Sequence, residues 1–198
     1  MSEIRVDHYR MFRNTHVYDL VESLTAAGYP RSIVPETLLP NPELAQRLAE
    51  TPMGTGHDNF LCGIRVCTDM IVSAKVLIDL ERYHWFDIVS CQGSLHLLRN
   101  ARVLHFNQYT DAEILSRLET LRGEYRENPT EENAMRMLYS TPIGFEYYLR
   151  VSTNYRQLKT IYAQRKKHPV PELREICDWI RKLPCAELIV GMPKETAE

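Results

Sequence analysis

The stretch from residue 145 to residue 168 constrains this chain most, because its hydrophobic pattern changes period within a few residues. Apolar side chains occupy every second position from Phe145 to Val151, which predicts a β-strand. From Asn154 onward apolar side chains recur at helical spacing instead, and no glycine or proline separates the two patterns. The sequence therefore predicts a strand that passes directly into a helix.

The predicted helix carries an arginine on its apolar stripe, which consists of Asn154, Leu158, Ile161 and Arg165, with Tyr162 beside them. We expect Arg165 to be largely buried and to face a cavity, whereas three lysines on the other side stay in water: Lys159, Lys166 and Lys167. A guanidinium cannot be neutralised by losing its proton, so it needs a carboxylate, a set of carbonyl groups or a bound anionic ligand. A structural ion pair and an anion site both satisfy this requirement.

Composition narrows the class of protein. The chain has 198 residues, of which 44% are hydrophobic and 25% charged, as expected for a single domain over residues 1–198. The net charge of -2 predicts no surface for nucleic acid or for an anionic membrane, and favours a small-molecule partner. With no signal sequence and no run of about 20 apolar residues, the expected location is the cytoplasm.

The cysteines and histidines do not predict a metal centre. The five cysteines form no C-x-x-C pair, so we expect buried free thiols rather than disulfides or a zinc site. Four residues of metal-ligating type fall in the central region, but without a helical H-x-x-x-H spacing: His57, His84, Cys91 and His96. No metal is therefore expected.

Helices outnumber strands in the rest of the chain, which makes the fold class α+β. Residues 1–50 are expected to form an N-terminal helical layer, in which Thr15 and Asn41 each cap a helix. A second strand is predicted from Cys62 to Asp69. Later helices are predicted to begin near Ser73, Gly93, Thr110, Thr130 and Pro171, with Ile114 among the inward positions.

A polar and aromatic segment follows the helix predicted after Ser73. It brings Arg82 and His84 to the end of that helix and places Ser90, Gln92, Gly93, Ser94 and His96 within seven residues. A helix opening at Gly93-Ser94 would direct backbone amide groups at an anion. The alternative is an ordinary helix N-terminus without a ligand.

With these residues laid out, the chain resembles the flavin-dependent thymidylate synthases, which methylate deoxyuridylate (dUMP) reductively with FAD as hydride carrier and methylenetetrahydrofolate as carbon donor. The resemblance covers residues 54–183. The family's helix pattern N-x-R-S-L-x-x-F-x-x-L-R is matched by Asn154, Arg156, Leu158 and Arg165, and a proline before it by Pro142. The family's G-H-E-T-P-F is matched by residues 56–60, and the tail of its R-H-R-x-x-S-x-N-E-x-S-x-R by residues 91–96, in which Ser94 is identical.

The resemblance implies a role for each matched position. Arg165 would be catalytic and bind the substrate, stabilising negative charge that develops on a pyrimidine carbonyl oxygen. The other substrate-binding residues would hold the nucleotide phosphate: Gln92, Gly93, Ser94 and His96. Flavin-binding residues would be His57, Arg82, His84, Asn154 and Arg156. The resemblance further implies helices on a small, mainly antiparallel sheet, a homotetramer with shared sites, and NADPH as an additional co-substrate.

The chain also departs from the family pattern. The Arg-His-Arg head of the signature is replaced by His84-Trp85-Phe86, and Leu138 stands where the family has a phosphate-binding arginine. Two functions therefore remain open. One is a flavin-dependent enzyme, a methyltransferase or related alkylating enzyme acting at C5 of a pyrimidine nucleotide. The other is a non-catalytic nucleotide-binding or oligomeric structural protein that kept the fold and lost flavin.

Overall fold

The structure is a computed structural model that describes residues 3–5, 11–52 and 54–192. Its strands are β1 (Glu3–Arg5), β2 (Phe12–Tyr18), β3 (Arg65–Ser73), β4 (Asp87–Cys91), β5 (Val103–His105) and β6 (Glu146–Asn154). Its helices are α1 (Leu20–Ala26), α2 (Pro42–Ala49), α3 (Ala74–Leu80), α4 (Ser94–Asn100), α5 (Ala112–Glu127), α6 (Glu131–Tyr139), α7 (Tyr155–Arg165), α8 (Pro171–Ile180) and α9 (Glu187–Val190). None of the described helices is long and apolar enough to cross a bilayer.

The main sheet has four strands in the order β2-β3-β6-β4 and is antiparallel. A separate two-stranded sheet pairs β1 with β5 in parallel, with Glu3 opposite Val103. Helices are combined with this small, mainly antiparallel sheet, so the predicted α+β class is confirmed.

The chain forms two compact units. The first unit comprises Met1–Arg13, Asp69–Arg82 and Ile88–Arg150, and the second comprises Asn14–Thr68, Tyr83–Asp87 and Val151–Glu198. The single domain over residues 1–198 stays a prediction, and its residues 1–2, 6–10, 53 and 193–198 lie outside the part of the chain that is described.

The predicted passage from strand to helix is present in the second unit. β6 ends at Asn154 and α7 begins at Tyr155, with the Asn154 Oδ1 accepting a hydrogen bond from the Gln157 backbone N–H at 2.9 Å. This bond satisfies one of the amide groups that a helix start leaves free, so the helix can begin without an intervening loop. Leu158 and Ile161 are fully buried, as the apolar stripe predicts.

The prediction that Lys159 stays in water is wrong. Its side chain is only 14% exposed, and its ammonium lies 2.8 Å from Oδ2 of the buried Asp58. It also donates to the carbonyl groups of Ala49, at 2.6 Å, and Thr51, at 3.3 Å. A long alkyl stem can cross apolar surface and place its charge on a distant partner, which helical spacing alone does not reveal.

The N-terminal prediction needs a second correction. Thr15 lies inside β2, where its hydroxyl is 2.7 Å from that of Thr68, and α1 begins only at Leu20. Asp19, with a left-handed backbone, occupies the cap position. The predicted helical layer therefore contains a strand as well, whereas Asn41 does cap α2, accepting a hydrogen bond from the Leu44 N–H at 2.9 Å.

Three smaller boundaries also differ from the prediction. The segment Asn59–Cys62 forms a 3-10 turn, so β3 begins at Arg65 rather than Cys62. Asp111, not Thr110, caps α5, because its carboxylate accepts from the Glu113 N–H at 2.8 Å. Ile114 on α5 is 47% exposed rather than inward.

In the first unit a buried arginine ties α4 to α5. The Arg122 side chain is fully buried, and it donates to the carbonyl groups of Leu98 at 2.9 Å and Ala101 at 2.7 Å. Its third partner is the Glu119 carboxylate, at 3.0 Å. These carbonyl groups lie at the end of α4, where no intrahelical donor remains, so Arg122 caps that helix through its side chain.

Candidate functional site

A cavity of about 300 Å³ lies in the second unit, beside the junction of β6 and α7. Its lining combines polar, cationic and aromatic side chains: Cys62, Arg65, Trp85, Asp87, Ser152, Thr153, Asn154 and Arg156. Asn154 and Arg156, two of the predicted flavin-binding residues, thus line the same cavity. His84 is exposed and stands edge-on to the Trp85 ring, with ring centres 4.3 Å apart.

Trp85 places an aromatic side chain at this cavity on a backbone that hydrogen bonds hold in place. Its backbone N–H donates to the Gln157 Oε1 at 3.3 Å, and its carbonyl group accepts from the Thr153 hydroxyl at 2.8 Å. Both partners belong to the β6-α7 segment, which holds the Trp85 backbone from two sides. The residue as a whole nevertheless remains 57% exposed. An aromatic face is therefore available next to the polar residues of the cavity.

The two arginines of the cavity differ in their surroundings. Arg156 places its Nε 3.3 Å from Oδ1 of the buried Asp58, and its Nη1 is 3.9 Å from the Cys62 thiol. Arg65 donates only to the Ser152 hydroxyl, at 3.3 Å, and has no carboxylate partner within the described residues. Of the two arginines, Arg65 is therefore the one whose positive charge no described carboxylate neutralises, so it could pair with a bound anion.

Two other predicted flavin-binding residues lie outside this cavity. His57 is exposed and lines a second, mainly apolar cavity of about 600 Å³ in the same unit, formed by residues of α1, α2 and the loop before β3. Arg82 is exposed and belongs to the first unit. Their assignment as flavin-binding residues stays a prediction.

Arg165 is half-buried at the end of α7 and is paired with Tyr83. Its Nε donates to the Tyr83 hydroxyl at 2.8 Å, and its guanidinium lies 5.7 Å from the centre of that ring. The Tyr83 hydroxyl in turn donates to the Gln164 Oε1 at 2.9 Å. An arginine over an aromatic face is stabilised without a carboxylate, an arrangement that helical spacing does not predict. Arg165 is not among the residues that line the two cavities above.

The predicted phosphate-binding residues lie together in the first unit, where β4 leads into α4. Gln92 is held against β6, because its Oε1 accepts from the Tyr148 N–H at 2.9 Å. The Ser94 hydroxyl is 2.8 Å from the Tyr147 hydroxyl. Gly93 occupies the cap position of α4 without a side-chain cap, and His96 is exposed one turn further along.

A polar network beside this segment was not predicted. Tyr148 donates from its hydroxyl to the Asp69 Oδ2 at 2.8 Å, and Arg150 reaches the Asp69 Oδ1 at 2.9 Å. The hydrogen bond to the Asp69 carboxylate raises the pKa of the Tyr148 hydroxyl. Alternation offered a partial signal for this network, since polar residues occupy every second position of β6 from Glu146 to Asn154, and Asp69 lies on the polar side of the first half of β3.

The architecture is that of the flavin-dependent thymidylate synthases. One similar solved structure is thymidylate synthase X (ThyX) from Helicobacter pylori with FAD and dUMP; the TM-score is 0.64 at 17% identity, covering 90% of this chain and 94% of that chain. Another is the UMP/dUMP methylase PolB from Streptomyces cacaoi bound with 5-Br dUMP; the TM-score is 0.66 at 12% identity, covering 91% of each chain. No protein-family model and no curated protein sequence matches the chain.

Proposed function

We propose that this protein is a flavin-dependent enzyme that methylates, or alkylates in a related way, C5 of a pyrimidine nucleotide. The observation that carries the proposal is the fold, which follows two enzyme structures over nearly the whole of each chain. One of those enzymes is described with FAD and dUMP, and the other as a methylase of UMP and dUMP. Methylenetetrahydrofolate and NADPH are proposed as co-substrates, on the family resemblance alone.

The residues of the Trp85 cavity fit one part of a flavin. An exposed indole, the Asn154 amide and two guanidinium groups suit a planar ring with carbonyl oxygens and a nearby negative charge. At about 300 Å³ the cavity is at the small end of ligand sites, which span about 300–1,000 Å³, so it suits a ring system rather than an entire dinucleotide. Bound FAD would supply hydride transfer, while Asn154 and Trp85 would orient its ring.

The substrate phosphate is proposed to bind at Gln92, Gly93 and Ser94, with His96 beside them. The Ser94 hydroxyl and its Tyr147 partner offer a donor pair that could turn toward an anion. His96 replaces the arginine of the family signature, and an imidazole offers fewer donors than a guanidinium. Arg165 keeps its proposed catalytic role at the pyrimidine carbonyl, which would require it to share its Tyr83 contact with the substrate.

The test is flavin content combined with nucleotide binding. We expect purified protein to carry visible flavin absorbance, or to acquire it with added FAD, and calorimetry to detect binding of dUMP or UMP. Ser94→Ala should weaken nucleotide binding and His96→Arg should strengthen it. Ser116→Ala, an exposed serine on α5, is the matched control and should leave binding unchanged.

The outcomes separate the two functions. Flavin binding together with nucleotide binding supports the enzyme. Nucleotide binding without any flavin contradicts it and favours the alternative, a nucleotide-binding protein that kept the fold and lost flavin. The observation that favours this alternative is that the chain lacks the Arg-His-Arg head of the family signature.

A further inference from the structure

Trp85 is exposed in a place where its backbone is restrained. More than half of the surface of this residue meets solvent, although hydrogen bonds from Thr153 and to Gln157 fix its backbone. An exposed aromatic side chain with few rotatable bonds offers a large apolar surface at little cost in conformational entropy. Such a side chain suits a partner with a flat, apolar face.

Arg65 adds a charge to this surface. It lines the same cavity as Trp85, it is exposed, and its described side-chain contact is the Ser152 hydroxyl rather than a carboxylate. Arg156 is already engaged by Asp58, which also pairs with Lys159. Asp87 is the one carboxylate among the lining residues described for this cavity. The two lining guanidinium groups therefore carry more positive charge than Asp87 carries negative charge. Arg65 is the one available to pair with an anion.

We infer that the cavity binds a planar heteroaromatic ring bearing an anionic group, with Trp85 as the stacking surface and Arg65 as the residue that holds the anion. This inference rests on the proposed function and deepens it, because it assigns anion binding to Arg65, which lies outside the family motifs, and stacking to Trp85, which replaces the histidine of the Arg-His-Arg head. A flavin and a pyrimidine nucleotide share this chemistry, so the experiment uses both as probes.

The chain contains two tryptophans, which permits a direct optical test. In Trp179→Phe, Trp85 is the sole tryptophan, and its fluorescence reports on contact at the cavity. We expect FMN or dUMP to change this fluorescence in a saturable manner, after correction for absorption by the probe. In the reciprocal variant, Trp85→Phe, the remaining Trp179 emission should show no saturable change.

The charge is tested with neutral analogues. Arg65→Met should weaken binding of the anionic probe about tenfold or more, as expected for loss of a charged hydrogen-bond donor, and leave binding of riboflavin or deoxyuridine unchanged. Arg65→Lys should restore part of the affinity. Arg47→Met removes the same charge from the exposed face of α2 and is the matched control. Thermal unfolding of each variant verifies that it is folded.

Two results would overturn the inference, and they differ in what they imply for the proposed function. If calorimetry shows that FMN or dUMP binds while Trp85 emission stays constant and Arg65→Met binds normally, the ligand lies elsewhere and the proposed function stands. If neither probe binds the unmodified protein, the inference and the proposed function fail together. The probe that saturates Trp85 quenching at the lower concentration identifies whether flavin or nucleotide occupies the cavity.

Discussion

At the scale of single residues, Asp58 shows how one buried carboxylate can order several elements. It is fully buried, and it pairs with Lys159 and Arg156, which both belong to α7. Lys159 additionally binds carbonyl groups at the end of α2. The carboxylate thus connects the loop before β3 with α7, and it orients Arg156 beside the Trp85 cavity.

Removing the Asp58 charge should therefore destabilise the protein. Asp58→Asn leaves the Lys159 ammonium mostly buried without a carboxylate, and loss of one member of a buried pair costs about 3 kcal/mol. Asp178→Asn breaks an exposed pair with Arg181 and should change the free energy of unfolding by less than about 1 kcal/mol. Urea unfolding measures both variants, and equal effects would contradict the structural role of Asp58.

Cys177 on α8 provides a prediction about pH. The side chain is 1% exposed, and burial raises the pKa of its thiol from 9.0 to about 11. Above pH 9 the unfolded chain loses this proton and the folded chain keeps it, so the unfolded state is favoured progressively until the pH passes about 11.

We therefore expect the free energy of unfolding to fall between pH 9 and about 11 more steeply in the wild type than in Cys177→Ala. Denaturant unfolding at pH 8 and pH 10.5 measures the difference. Cys62→Ala, which changes an exposed cysteine, should retain the dependence of the wild type. Identical slopes for wild type and Cys177→Ala would show that burial does not shift this thiol.

At the scale of elements, some helix caps were predictable and long-range partners were not. Asn41 and Thr130 each accept a hydrogen bond from a backbone N–H three residues later, as predicted from local sequence. Thr15 and Thr110 carried the same signal, but Asp19 and Asp111 occupy the cap positions instead. By contrast, Thr153 contacts Trp85 across 68 residues, which no local pattern records. The exposed strand β4 also lacked the alternation of buried side chains that identifies a strand.

Arg122 supplies the prediction at this scale, since it joins α4 to α5. Arg122→Met would leave the buried carbonyl groups of Leu98 and Ala101 without their donor, and we expect a loss of about 3 kcal/mol or more. Arg122→Lys should recover little, because one ammonium lacks the planar fork that reaches both carbonyl groups. Arg126→Met, on the exposed side of α5, should cost less than about 1 kcal/mol by chemical denaturation.

At the scale of the whole molecule, the fold was more predictable than the site. The passage from strand to helix and the flanking Pro142 lie in segments from which the fold was predicted. The two solved structures share that fold although they are only 17% and 12% identical to this chain. Asn154 and Arg156 match the family's helix pattern and line the candidate cavity, whereas Arg65 and Trp85, which also line it, match no family residue. A fold tolerates substitution at most positions, whereas a binding site is defined by a few side chains.

The predicted homotetramer is a property of the whole molecule, and the mass of the protein in solution would test it. Tyr147 is 9% exposed and bonded to Ser94, so its aromatic surface is covered within its own unit, whereas Tyr148 remains 36% exposed. We expect light scattering at micromolar concentration to give the mass of a tetramer. Tyr148→Glu should lower that mass if this surface lies in a subunit contact, with Tyr109→Glu, at another exposed tyrosine, as control. A monomeric wild type would contradict the prediction.

The cap at the start of α7 has a consequence for molecular recognition. The Asn154 carbonyl oxygen accepts from the Gln157 N–H, so the half of its amide without a partner among the described residues is the NH₂ group, which a molecule in the cavity could meet. That half can only donate, and it selects a ring edge that presents a carbonyl oxygen or an unprotonated nitrogen. An aspartate at this position would cap the helix equally well. Its second oxygen, however, would accept hydrogen bonds from the ring rather than donate them. In the proposed complex, the start of the helix would thereby favour one tautomer of the bound ring.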